Sequence, residues 1–367
     1  MVKKLKVGVI GGGLNSEVGK IHISSMLIDN LWEINAAVFS LNPKENKNTA
    51  KYYNLDKCKL YENHKSLLRN EKNNLDLVVL LTPIFDHYKT LTDIFKTNLP
   101  IISEKSLVSS MKEIESLKKK NKKKQIILTT FNYSGYLAIK DIKKKIASNK
   151  IGKINKIIIN YPIDSFVSQN SSPKKWRLSD KSIPTFMLDL GPHIHQIIYY
   201  ISNLVPTKVM ANIKKYGKFK NVYDDCSCLV EFGKNVDGII WMSKSATGFK
   251  KGLSLKLIGT KGSIIWNHEN PETYFLYQKN NIINKIERSS FSTSLLKRYS
   301  RFKPGHPEGF LEAFSNIYKD FNQIIASSKN NKKIKYKYYD IDSVTSGLNF
   351  LNAISKSAKE KKWIKIR

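Results

Sequence analysis

Residues 5–22 read LKVGVIGGGLNSEVGKIH, and no other stretch constrains the chain as strongly. Leu5, Val7, Val9 and Ile10 have the pattern of a short buried strand, and Gly11, Gly12 and Gly13 come directly after it. A helix carrying Gly19 and His22 comes next. A strand that stops at glycines and hands over to a helix predicts the entrance to a dinucleotide-binding fold. Glycine lets the backbone turn sharply and come close to a pyrophosphate. The helix N-terminus offers unpaired N–H groups and partial positive charge to the same group. The spacing is not a strict G-x-G-x-x-G: after Gly11 and Gly13 the next glycine is Gly19. The loop is therefore longer than usual and includes Leu14 and Asn15. The competing reading is a glycine-rich turn that holds nothing.

Past the glycine loop the chain alternates between strand and helix. EINAAVFS at 33–40 reads as a second strand, LDLVVLL at 75–81 as a third buried on both faces, with further strands at 100–103 and 125–130. Helices are predicted between them. This predicts a doubly wound parallel sheet over residues 1–131. Ligands of such sheets sit beyond the carboxyl ends of the strands. Gly11–Gly13, Ser40, Thr82-Pro83, Glu104-Lys105 and Asn132 all fall at such ends, so they form the candidate cofactor set. His22 and His87 are expected to line or support the same crevice. An acidic residue is expected after the second strand to grip the adenosine ribose. Ser40, Leu41, Asn42 and Pro43 stand there instead, which permits either NAD or NADP.

Beyond a basic helix at 136–149 the pattern changes. Segments 153–161, 207–216, 226–232, 236–244, 253–259 and 262–266 alternate like strands, with hairpin turns at Gly233–Gly238 and Gly259–Gly262. They predict a mainly antiparallel α+β domain over 132–367, its sheet covered on one face by helices at 187–202, 307–328 and 343–359. Residues 164–184 are polar and irregular and contain Trp176-Arg177.

Composition narrows the function. The formal charge is +33, but only six arginines contribute, and arginine supplies the bidentate contacts of nucleic-acid readers. The densest run, KKKNKKK at 118–124, reads as a solvated helix end. Nucleic acid is therefore not the expected partner, although the charge would attract an anionic sugar derivative. No apolar run reaches the roughly 18 residues of a membrane span. The chain enters its first strand at once, so no signal peptide is expected. Cys58, Cys226 and Cys228 are badly placed for disulfides or zinc. A cytoplasmic protein with reduced thiols and no metal is the expectation.

The motifs together resemble the Gfo/Idh/MocA oxidoreductase family over nearly the whole chain. VGVIGGGLNSEVGKIH is similar to that family's opening in its long-loop version. LLTPIFDHY resembles its T-P-x-x-x-H segment, and ISEKS stands where it has E-K-P. FNYSGY resembles the crossover to the second domain, and KKWRL, LDLGPHIHQ and GHPEGFLEAF are similar to second-domain signatures. The branch most resembled contains levoglucosan dehydrogenase. The resemblance implies NAD(P)-dependent hydride transfer to or from a carbinol carbon of a sugar, cyclitol or derivative, by a homodimer or homotetramer. It implies cofactor contacts at the glycine loop including Leu14 and Asn15, and at Thr82, Pro83, His87, Glu104, Lys105 and Asn132. Lys105, Asp189 and His193 correspond to its catalytic residues.

Residue chemistry agrees with those roles. Oxidising an alcohol needs a proton acceptor near neutral pKa, which suits His193. Lys105 can hold a developing alkoxide by charge, and it can shuttle the proton if its pKa is lowered. Asp189 lies four residues before His193, on the same face if the segment is helical; it can orient the imidazole, bind substrate, or cap the helix. His195 reads as structural. Trp176 can stack on a sugar or merely pack, and Arg177 can bind an anionic group. The family's proline after the lysine is Ser106 here; serine can take a trans path, which would displace Lys105. That departure makes a non-catalytic dinucleotide-binding sensor or scaffold the alternative.

Overall fold

The β-α alternation of the first 130 residues is present. The computed structural model describes residues 4–334 and 336–366. In order come β1 (Leu5–Gly11), α1 (Gly19–Leu27), β2 (Trp32–Val38), α2 (Pro43–Tyr52), β3 (Lys59–Leu60) and α3 (His64–Glu71). β4 (Leu77–Leu81), α4 (Ile84–Ile94), β5 (Ile101–Ser103), α5 (Met111–Lys120) and β6 (Ile127–Thr129) complete the run. The six strands pair in the order β3-β2-β1-β4-β5-β6, all parallel. The order reverses between β1 and β4, the switch point where such sheets open a crevice. β4 is buried along its whole length, as an unbroken Val/Leu run between two helical layers requires. Capping sets the helix starts: Asn42 accepts from the Lys44 and Glu45 amides at α2, and Ser110 accepts from the Glu113 amide at α5.

A second set of elements comes after these: α6 (Leu137–Ala147), β7 (Ile154–Pro162), α7 (Thr185–Ser202), β8 (Lys208–Lys214), β9 (Asp225–Glu231) and β10 (Asp237–Ser243). Then come β11 (Ser254–Gly259), β12 (Gly262–Asn267), β13 (Tyr274–Gln278), β14 (Ile283–Ile286) and α8 (Thr293–Tyr299). The chain ends with α9 (Phe310–Lys329), α10 (Ile341–Glu360) and β15 (Ile364–Lys365). The nine-stranded sheet runs β14-β13-β12-β11-β7-β10-β9-β8-β15. It is antiparallel except where β10 joins β7 in parallel.

The chain divides into two compact units, Met1–Gly135 with Phe310–Val344, and Tyr136–Gly309 with Thr345–Arg367. The sequence pattern predicts a second domain running from 132 to the end, with the 307–328 helix on its sheet. Instead α9 packs in the first unit. Its Ile317, Tyr318, Phe321, Ile324 and Ile325 join one apolar cluster with Val7, Val9 and Leu77. An apolar stripe at helical spacing shows that a helix buries a face; it does not say against which sheet. Gly135 permits the close approach, because a side chain there would run into the backbone of Ala313.

In the second unit α7 and α10 cover one sheet face. Gly191 of α7 lies against Leu351, and Ser357 of α10 accepts a bond from the Ala211 amide at 2.9 Å. The other face is open. Strand register lines up Met210, Leu229, Ile239, Ile158, Lys256, Ile265, Phe275 and Lys285 in one row across eight strands. Leu229, Ile239 and Phe275 are exposed.

Candidate active site

The first unit gathers the predicted cofactor residues along one sheet edge. Gly11 and Gly12 adopt φ of +85° and +80°, which side chains rarely tolerate. Side chains added to this loop would collide: a Cβ at Gly12 would lie 2.7 Å from Leu81, and one at Gly13 2.7 Å from Glu45. A Cβ at Gly19 would strike the Gly12 backbone, so α1 starts directly against the loop. At the start of α1 the Ser16 hydroxyl accepts from the Gly19 amide at 3.1 Å. Thr82 comes after β4, and its Oγ1 is buried without a hydrogen-bond partner among the described residues. A bare glycine cradle that hands over directly to a helix and an orphaned hydroxyl at the next strand end fit a bound dinucleotide.

Two of the predicted residues support that edge and do not offer their side chains to it. His87 is buried on α4. Its Nε2 lies 2.7 Å from the Thr82 carbonyl, and its Nδ1 3.1 and 3.2 Å from the carbonyls of Ser106 and Leu107. It ties the end of β4 to the turn after Lys105. Burial pushes its imidazole below the ordinary histidine pKa, against the opposing pull of those carbonyls and of Glu104. Glu104 is buried too, held by His22 Nε2 at 2.7 Å and by the Thr130 hydroxyl at 2.8 Å. His22 Nδ1 in turn meets the Tyr318 hydroxyl at 2.7 Å. Burial alone would raise the Glu104 carboxyl. The bond from His22, the charges of His22 and Lys105 and the bond from Thr130 outweigh it and hold the carboxyl below the usual range. Lys105 leaves this anchored base half-buried. The Lys105–Ser106 peptide is cis, so the trans path open to a serine is not taken. Asn132 is buried and begins a short 3-10 turn beyond β6.

The second unit places Asp189 and His193 on α7, one turn apart, as the spacing predicts. His193 is buried, with its ring edge-on to Tyr161. Asp189 sits between two cations: Arg177 Nη1 and Lys244 Nζ each lie 2.6 Å from its Oδ2. Arg177 also stacks on Trp176, 4.4 Å from the ring centroid. Lys244 is only 4 % exposed and lies over the Phe166 ring. Its backbone amide donates to the carbonyl of Asp224, itself fully buried. Sequence reasoning misses Lys244, because one lysine after a strand is lost among so many. His195 meets Ser346 at 3.1 Å and stacks on Tyr199, in keeping with a structural role. Among the described residues no cluster of histidine, cysteine or acidic side chains could hold a metal, and no helix is long and apolar enough to cross a membrane.

A doubly wound sheet with this glycine edge, joined in one chain to a nine-stranded sheet whose covering helix carries a buried histidine and a carboxylate, defines an NAD-binding oxidoreductase. Residues 5–132 match the profile of the oxidoreductase family with an NAD-binding Rossmann fold, and residues 139–265 that of the GFO/IDH/MocA C-terminal domain. The chain belongs to the Gfo/Idh/MocA oxidoreductase family. It is 25% identical to the uncharacterised oxidoreductase YfiI of Bacillus subtilis over 390 aligned residues, covering 100% of this chain and 98% of that one. It is 21% identical to levoglucosan dehydrogenase of Pseudarthrobacter phenanthrenivorans over 299 residues, 73% of this chain and 75% of the relative. Among solved structures, an inositol dehydrogenase homolog from Azotobacter vinelandii, complexed with NADH and myo-inositol, superimposes with a TM-score of 0.88. That match has 22% identity and covers 99% of this chain and 98% of the other.

Proposed function

We propose that the chain moves a hydride between a nicotinamide dinucleotide and a carbinol or ketone carbon of a sugar, cyclitol or sugar derivative. The dinucleotide, when bound, takes or returns the hydride. His193 accepts the hydroxyl proton as the alcohol is oxidised and returns it in reduction. Lys105 holds the oxygen as negative charge develops on it. Asp189, fixed by Arg177 and Lys244, binds substrate hydroxyls, and Trp176 offers its ring to the sugar. The observation that carries this reading is the placement of Lys105: it comes directly after the anchored Glu104, on the same sheet edge as the glycine cradle. The relatives named for levoglucosan and inositol support a polyhydroxylated substrate.

The test is Lys105→Met, assayed on a panel of sugars and cyclitols with NAD and NADP. Turnover should fall about a thousandfold or more while NADH affinity stays within about twofold. Retained turnover removes Lys105 from the chemistry. Dinucleotide binding by the unaltered protein, with no turnover on any panel member, favours the sensor reading.

We also propose that the open face of the nine-stranded sheet pairs subunits into a homodimer or homotetramer. Its row of exposed Leu229, Ile239 and Phe275 supports this. Placing lysine at both Leu229 and Ile239 should shift the sedimenting species to the monomer; an unchanged assembly would assign the contact elsewhere.

A further inference from the structure

We propose that Glu45 is the carboxylate that holds the adenosine ribose in this chain and makes it prefer NAD to NADP; the inference rests on the dinucleotide-binding reading of the first unit. Directly after β2 the chain offers no carboxylate, only Ser40, Leu41, Asn42 and Pro43. The fold supplies one from α2. Asn42 caps that helix and accepts from the Glu45 amide at 3.1 Å, which fixes Glu45 in the first turn. From there its side chain turns back toward the end of β2. Its Oε2 accepts from the Ser40 hydroxyl at 2.8 Å, and its Oε1 from the Asn15 amide at 3.2 Å. Gly13 makes room for it, since a Cβ there would lie 2.7 Å from Oε1. Thr49, one turn further along α2, accepts from the Leu14 amide at 3.2 Å and donates to the Glu45 carbonyl. Two side chains of α2 thus latch the long glycine loop.

The carboxylate therefore stands at the carboxyl end of β2 and beside the glycine loop, where doubly wound sheets hold the ribose. A carboxylate has about four lone-pair sites. Ser40 and Asn15 occupy two, which leaves acceptors for the 2′- and 3′-hydroxyls. A 2′-phosphate in the same place would meet a like charge in a half-buried setting, where repulsion is stronger than in water. Ser40 alone would welcome that phosphate, but its hydroxyl is already directed at Glu45.

The experiment measures NADH and NADPH dissociation constants by direct fluorescence titration, without turnover, in the unaltered protein and in Glu45→Gln. Glutamine keeps the size and can still accept from Asn15. The unaltered protein should bind NADH about a hundredfold more tightly than NADPH, a ratio that needs no variant to fold. In E45Q the ratio should shrink about tenfold or more, mainly through tighter NADPH binding. Equal affinities in the unaltered protein, or an unchanged ratio in a folded E45Q, would overturn the role of Glu45 and leave the dinucleotide reading intact. Failure to bind either dinucleotide would overturn both.

Discussion

Glu104 and Asp189 are carboxylates taken out of bulk water, one in each unit, and they are held by opposite means. Glu104 is enclosed: an imidazole and a hydroxyl bond it, and a tyrosine from α9 braces the imidazole. Asp189 is about a fifth exposed and is gripped by two cations from elements 12 and 55 residues away in sequence. The first arrangement is a buried hydrogen-bonded scaffold directly before Lys105. The second is a partly exposed ion cluster, and under the proposed function its partners exchange for a substrate's own groups. Rigidity is thus concentrated beneath the glycine edge, and adaptability where a substrate is proposed to be chosen.

The largest effect that would sharpen this contrast is on stability. Replacing His22 by Leu leaves the buried Glu104 charge without its main partner and should cost about 3–5 kcal/mol, seen as a lower midpoint in urea unfolding. A loss below about 1 kcal/mol would mean that the scaffold tolerates a gap and is no more rigid than the ion cluster. Next comes Lys244→Met. It leaves Arg177 on Asp189 and should lower kcat/KM about a hundredfold, with NADH affinity and unfolding midpoint nearly unchanged. A loss of NADH affinity of the same size would erase the division of labour. The smallest effect is the pH response of the first unit. His87 has a depressed pKa in the folded protein, so below about 6.5 the unfolded chain takes up a proton that the folded chain refuses. Stability should be full above that pH and decline as pH falls through it, until the folded imidazole itself protonates. Glu104, also depressed, adds a further loss in the same direction below the ordinary carboxylate range. His87→Gln should flatten the first decline; an unaltered slope would place the titration elsewhere.

The same contrast explains what is legible in the sequence. Strand ends announce themselves through apolar runs that stop at Gly, Thr-Pro or Glu-Lys, so Gly11, Thr82, Lys105 and Asn132 can be read together onto one sheet edge. Asp189 and His193 can be read as one helical turn. The partners of Asp189 cannot. Arg177 stands out for its rarity, but its pairing is invisible, and Lys244 carries no signal because its burial depends on Phe166 and on the end of β10. Glu45 escapes because the acidic residue is expected along the chain directly after β2, whereas here it returns in space from the next helix. The misplacement of α9 has the same origin, since amphipathicity does not name the surface that is covered.

The nine-stranded sheet ends in β14, of four residues, and β15, of two, and Lys285 and Lys365 stand on those outermost strands. So short a pair of margins, each carrying a lysine, offers an incoming strand little backbone to zip onto. Growth by edge-to-edge addition, the route to fibrils, is closed at both ends. That leaves the broad face, with its exposed Leu229, Ile239 and Phe275, as the surface for the proposed association.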